Sequence, residues 1–257
     1  MPGPGAIEAL MRRDRFMGAA GLAGIAGLAW VYLFYLAAGM DSMRMMAMPA
    51  LRPWSAADFV FMFLMWAVMM VAMMTPSAAP MILLHAAIAR KSRAGNPPAA
   101  ATGAFAAGYL AVWTGFSTLA TALQWGLEQA AVLSPTMVGA SPWLGGALLI
   151  AAGAYQMTPL KQVCLRHCRS PVQFLAGHWR PGAAGAFRMG LHHGAYCVGC
   201  CWALMTLLFV GGVMNLLWIA ALAVFVLVEK IAPRGALVGR VTGGVMVAGG
   251  LWMFAAA

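Results

Sequence analysis

A run of roughly 20 apolar residues is long enough, as a helix, to cross about 30 Å of hydrocarbon, and such runs recur along this 257-residue chain. Seven can be drawn, at residues 16–39, 57–79, 103–127, 143–160, 187–211, 214–229 and 236–256. Lipid offers no partner to a bare backbone, so each run is expected to close its own hydrogen bonds as a helix. The expected fold class is therefore all-α, a polytopic transmembrane bundle of about seven spans. With 63% apolar and only 9% charged residues, a soluble core is ruled out as an explanation.

The net charge of +10 comes from 16 Lys and Arg against 6 Asp and Glu. Those cations sit between the apolar runs rather than on one patch, so nucleic acid is not an expected partner. Under a seven-span topology they divide 14 to 2 between the two sides, with only Arg44 and Arg52 on the poorer one. Basic residues stay on the cytoplasmic side, which predicts a cytoplasmic N-terminus. Residues 1–15 then form a short cytoplasmic segment, residues 161–186 a cytoplasmic loop, and residues 1–257 a single integral membrane domain. The first run is longer than a signal-peptide core and is expected to be retained. Glycines at one-turn spacing, Gly18, Gly21, Gly24 and Gly27, and again Gly239 and Gly243, predict close helix packing.

No phosphate-binding loop, nucleophile elbow or His-Glu-x-x-His helix occurs, so no catalytic residue is expected and an enzyme is not the leading reading. No carboxylate stands at the centre of a run; Glu229 beside Lys230 reads as an interfacial ion pair.

The chemistry concentrates in Cys and His. In Gly190-Leu-His-His-Gly-Ala-Tyr-Cys-Val-Gly-Cys-Cys-Trp202, helical geometry puts His193, Cys197, Cys200 and Cys201 within an arc of roughly 100°. One face then carries an imidazole and three thiols, roughly 15 to 20 Å into the bilayer. A second cluster, Cys164, His167 and Cys168, sits among cations at the expected cytoplasmic end of the fourth run. Methionine supplies the third signal, at 22 residues. Met40, Met43, Met45, Met46 and Met48 crowd an expected outer loop, while Met62, Met65, Met69 and Met73 repeat at helical spacing with Met70 and Met74 on the flank. Thioethers and thiolates favour Cu(I) over hard ions, although such a stripe also serves as pliable packing. Pro76 and Pro80 are expected to kink or unwind the second helix ahead of a short interfacial helix carrying His85.

Four segments, Met69 to Met81, Thr158 to Pro171, Gly190 to Trp202 and Val228 to Pro233, resemble the bacterial family of predicted metal-binding integral membrane proteins, a domain of unknown function. The resemblance implies a multi-pass protein of the bacterial inner membrane whose ligands would be Cys164, His167, Cys168, His192, His193, Cys197, Cys200 and Cys201. The leading expectation is binding of Cu(I) for transport or delivery, with the bilayer, the metal ion and a periplasmic or cytoplasmic metallochaperone or metalloenzyme as partners. Two alternatives stay open: a thiol-disulfide oxidoreductase pairing Cys197/Cys200 with Cys164/Cys168, and a membrane subunit with a structural zinc ion.

Overall fold

The computed structural model describes residues 4–46, 54–91, 97–130 and 141–256. All regular structure in these residues is helical: α1 (Pro4–Met46), α2 (Ala56–Lys91), α3 (Pro98–Gln129), α4 (Pro142–Met157), α5 (Pro159–Arg169), α6 (Pro171–His178), α7 (Gly182–Thr206), α8 (Leu208–Gly211), α9 (Leu216–Ile231) and α10 (Gly235–Ala256). Local chemistry sets several of their starts. Ser55 and Asp58 exchange backbone and side-chain bonds at the head of α2, the Ser55 amide donating to Asp58 Oδ2 at 2.8 Å and the Asp58 amide to Ser55 Oγ at 3.3 Å. Thr158 caps α5, its hydroxyl accepting from the Lys161 amide, with Pro159 in the first turn. Asn215 caps α9 in the same way through Trp218.

Among the described residues, four helical stretches are long and apolar enough to cross a membrane: Phe16–Gly39, Ala56–Arg90, Gly182–Gly211 and Gly235–Ala256. The expected seven spans are thereby corrected. Residues 143–160 and 214–229 correspond to α4 and α9, each of 16 residues and so about 24 Å long, short of the hydrocarbon thickness. The run at 103–127 lies in the long helix α3, but Ser117, Thr121 and Gln124, all buried, dilute its apolar character. The 14 to 2 division of cations counted seven crossings and does not carry over to four. Large apolar side chains nevertheless face outward around the molecule, Leu28, Tyr35, Leu119, Leu217 and Trp252 among them, a surface that suits lipid rather than water.

Other expectations are corrected too. α1 continues through Met46, so the methionines at 40, 43, 45 and 46 are helical and not in a loop, while Met48 lies outside the described residues. α2 stays helical across both prolines and through His85, without an unwound segment or a separate interfacial helix. On that turn the Met74 carbonyl accepts from the hydroxyls of Ser77 at 2.9 Å and Tyr109 at 3.2 Å. The residues expected as a loop, 161–186, fold as most of α5, all of α6 and the start of α7. α5 turns back to lie along α7.

Packing is closest where glycines meet backbone. α3 runs along α7, and α4 along α10. A Cβ at Gly108 or Gly190 would strike the main chain of the facing helix, at Phe187 and Phe105 respectively. Gly243 faces the Gly153 carbonyl across the α4–α10 contact, as expected of a packing glycine. In α1 the expectation fails: Gly21, Gly24 and Gly27 have open space where a Cβ would go, and only Gly18 meets a neighbour, Leu83. Because backbone cannot swing aside as a side chain can, Gly190→Ala is expected to destabilise the fold by about 1–3 kcal/mol, whereas Gly24→Ala is expected to be neutral or slightly stabilising. Thermal unfolding of both variants in detergent checks this contrast.

Candidate metal centre

α7 carries its chemistry on one buried face. His193, Cys197, Cys200 and Cys201 are each no more than 2% exposed, as the helical arc predicts. Both Cys200 and Cys201 donate their thiol protons to the carbonyl of Cys197, at 3.1 and 2.8 Å, which holds the two sulfurs on the same side of the helix. Four other helices, α2, α3, α5 and α9, meet this face. Met74 of α2 places Sδ 4.0 Å from Cys201 Sγ. Cys168 of α5 places Sγ 3.9 Å from Cys200 Sγ. Lys230 of α9 donates to Cys197 Sγ at 2.9 Å and to Ser77 Oγ at 3.0 Å, while Tyr109 Oη lies 3.1 Å from the same Cys197 sulfur. The result is a group of five sulfurs, four of them buried and that of Cys168 half-buried, with an ammonium ion at its edge.

Among the described residues no three His, Cys, Asp or Glu side chains are set to hold one metal ion together. The sulfurs stand instead as contacting pairs, Cys201 with Met74 and Cys200 with Cys168. Such an arrangement offers low-coordinate soft ligation rather than a closed tetrahedral cage.

The sequence model of the PpoB2 family, described as a copper chaperone, matches residues 63–253. The chain belongs to this copper-chaperone family. The match covers all five sulfurs and Lys230, so the buried cluster lies within the part of the chain that defines membership. No curated protein and no solved structure matches.

The structure of this copper-chaperone family member does not bring all the expected ligands together. Cys168, Cys197, Cys200 and Cys201 converge. Cys164, one helical turn before Cys168, sets its sulfur against Gly199 of α7, 2.8 Å from where a Cβ would stand. His193 is near the cluster, one turn before Cys197, packed among the rings of Phe105, Tyr109 and Phe174, with its Nδ1 buried and without a hydrogen-bond partner among the described residues. His167 stacks flat on Tyr196 at 4.1 Å, and exposed His192 meets His178 edge to face at 5.9 Å. Met65, Met69 and Met73 are fully buried in the core, and half-buried Met62 accepts from Gln124 Nε2 at 3.9 Å. Met74, placed on the flank of the stripe by helical spacing, is the methionine whose sulfur reaches a thiol.

The two thiol clusters were expected at different depths, and their meeting has a definite cause. Lys161 is fully buried in α5 and donates to both carboxylate oxygens of Glu229 in α9, at 2.7 and 2.8 Å. Arg169, at the other end of α5, donates to the carbonyls of Glu229, Ala232 and Pro233 that end α9. The expected interfacial pair of Glu229 with Lys230 is thus corrected, because adjacent residues on a helix diverge by about 100°. Glu229 turns toward α5 and Lys230 toward the thiols. Nothing in the local sequence of either helix signals Lys161 as the partner.

Removing one member of a buried ion pair strands the other charge. Lys161→Met is expected to cost about 3–5 kcal/mol of stability, and the double change Lys161→Met with Glu229→Leu to recover most of it. Thermal unfolding of the two variants in detergent, compared at matched protein concentration, checks the difference.

Proposed function

We propose that this protein binds Cu(I) at the buried sulfur cluster and takes part in copper transport or delivery at a bacterial inner membrane. The observation that carries the reading is the approach of buried Met74, Cys200 and Cys201 and half-buried Cys168 from three helices into one group, within a chain of the copper-chaperone family. Thioether and thiolate are the ligands that select Cu(I) over hard cations, and pairs of soft sulfurs suit an ion that must be held and then surrendered.

Lys230 supports the same reading. A thiolate in a low-dielectric interior is costly without a neighbouring positive charge. The Lys230 ammonium, 2.9 Å from Cys197 Sγ, can supply that charge when the metal ion is elsewhere. Copper arriving at the cluster then replaces one counter-cation by another, which keeps both loading and release from creating bare buried charge. The partner from which the ion comes, or to which it goes, is a periplasmic or cytoplasmic metallochaperone or metalloenzyme.

One observation favours a second reading. A thiol-disulfide exchange between the α5 and α7 cysteines requires the two sets to be close, and Cys168 lies 3.9 Å from Cys200. Structural zinc gains less support, since it calls for a closed cage of four Cys or His ligands and the sulfurs here stand in pairs.

Metal content by mass spectrometry of reduced, detergent-purified protein, loaded with Cu(I) or with Zn(II), tests the first reading. Wild type is expected to retain copper and the Cys197→Ser, Cys200→Ser, Cys201→Ser variant to lose it. Equal copper in both proteins rejects the cluster as the site. Thiol counting on the metal-free protein after mild oxidation separates the second reading, for which thiols disappear in pairs without any metal.

A further inference from the structure

Away from the buried sulfurs, α5 and α6 enclose a cavity of about 320 Å³ whose walls carry Arg166, Ser170 and Gln173 beside the rings of His167 and His178, with Val163 at its edge. Among the described residues no carboxylate lines it. A guanidinium keeps its charge at any ordinary pH, so the cavity is positive.

The three Lys and Arg side chains of α5 are used differently. Lys161 is closed off by Glu229, and Arg169 by the carbonyls that end α9. Arg166 bonds only within its own helix, donating from Nε to the Gln162 carbonyl at 3.4 Å, so among the described residues its two terminal nitrogens have no protein partner. They belong to the cavity instead. Beside them stands the Ser170 hydroxyl, which caps no backbone amide of α6, and the Gln173 amide adds a further donor. A guanidinium presents two parallel N–H groups that match two oxygens of a phosphate, and hydroxyl and amide donors can serve the remaining oxygens.

The cavity also lies where a bilayer presents phosphate. α4 leads directly into α5, and α9 ends against Arg169, so both short apolar helices stop at this level. Headgroups stand just beyond the hydrocarbon core. Leu160 and Val163 of α5 and Val172 of α6 are exposed on the same two helices that carry Arg166 and the polar walls, and a cation beside exposed apolar side chains is the pattern of a helix lying in the interface. We propose that this cavity binds the phosphate group of an anionic phospholipid, with Arg166 as its anchor and Ser170 and Gln173 as supporting donors. Free phosphate shares that chemistry. The exposed apolar side chains on these helices favour the lipid, because acyl chains can cover them whereas a soluble anion cannot. Basic pockets among membrane helices bind anionic headgroups in this way. The site takes nothing from the copper reading.

Native mass spectrometry of the detergent-purified protein, titrated with phosphatidylglycerol or with phosphatidylcholine, tests the site, with inorganic phosphate as competitor. Wild type is expected to retain phosphatidylglycerol in preference to phosphatidylcholine, whose ammonium ion offsets its phosphate. Arg166→Gln is expected to bind phosphatidylglycerol about 10–100-fold more weakly, the loss of one charge-assisted pair. Arg240→Gln removes an equal charge from an exposed position on α10 and is expected to match wild type. Equal affinity in wild type and Arg166→Gln overturns the proposal. An equal loss in Arg166→Gln and Arg240→Gln overturns it as well, since it marks diffuse attraction to the whole basic chain. Displacement of the lipid by inorganic phosphate at matched concentration assigns the cavity to a soluble anion and overturns the lipid as its occupant. Arg166 bonds nothing outside its helix, so its variants are expected to fold, and size-exclusion profiles establish it. If Arg166→Gln does not fold, Arg166→Lys, which keeps the charge but loses the paired geometry, carries the same comparison with weakening again expected. Copper content is expected to be the same in wild type and Arg166→Gln, which keeps this result separate from that of the sulfur cluster.

Discussion

The arrangement of sulfur in this protein depends on a buried ion pair. Lys161 and Glu229 are both almost fully enclosed and bond to each other through both carboxylate oxygens. Such a pair does little for stability, because the desolvation of two charges offsets most of their attraction. Its consequence is positional. With Arg169 clamping the end of α9, α5 is held at two points and cannot slide along α7, which fixes Cys168 opposite Cys200. The same residue pair sets α9, since Glu229 faces α5 only if Lys230 faces the thiols. A helix that would otherwise be a plain apolar connector thereby delivers a cation to the sulfur cluster.

Glycine makes this geometry sterically attainable. α5 reaches α7 where Gly199 leaves room for the Cys164 sulfur, and α3 reaches α7 where Gly108, Gly190 and Gly194 bring the helices into near backbone contact. That second contact places Tyr109 between the Met74 carbonyl and Cys197. Larger residues at these crossings would hold α3 and α5 off by the width of a side chain, and the phenol and the Cys168 thiol would no longer reach the sulfurs of α7.

What could be read in the sequence follows the range of the forces involved. Helical period is local, and it correctly put His193, Cys197, Cys200 and Cys201 on one buried face. Apolar run length is local as well, but it overcounted spans, because it tolerates the buried Ser117, Thr121 and Gln124 of α3 and says nothing of where Pro159 ends α4. Partner choice between helices is not local. Lys161 and Glu229 are 68 residues apart, Met74 and Cys201 127 apart, and neither pairing leaves a mark on its own segment. The glycines show both outcomes: Gly243 meets a neighbouring helix and Gly24 meets none, although the spacing around each is alike.

Enclosure differs among the groups of the cluster. Met74, His193, Cys197, Cys200 and Cys201 are buried, whereas Cys168 is only half-buried, as is His167 beside it. Imidazole is a borderline ligand and binds both copper and zinc, whereas paired thiol and thioether discriminate for the softer ion. On the proposed reading, an ion that reaches the buried sulfurs by way of half-buried Cys168 would exchange water for ligands that favour a soft cation. Lys230 bears on the same proposed step: on that reading, only an ion whose bonds to sulfur outweigh the Lys230 contact with Cys197 would gain by entering.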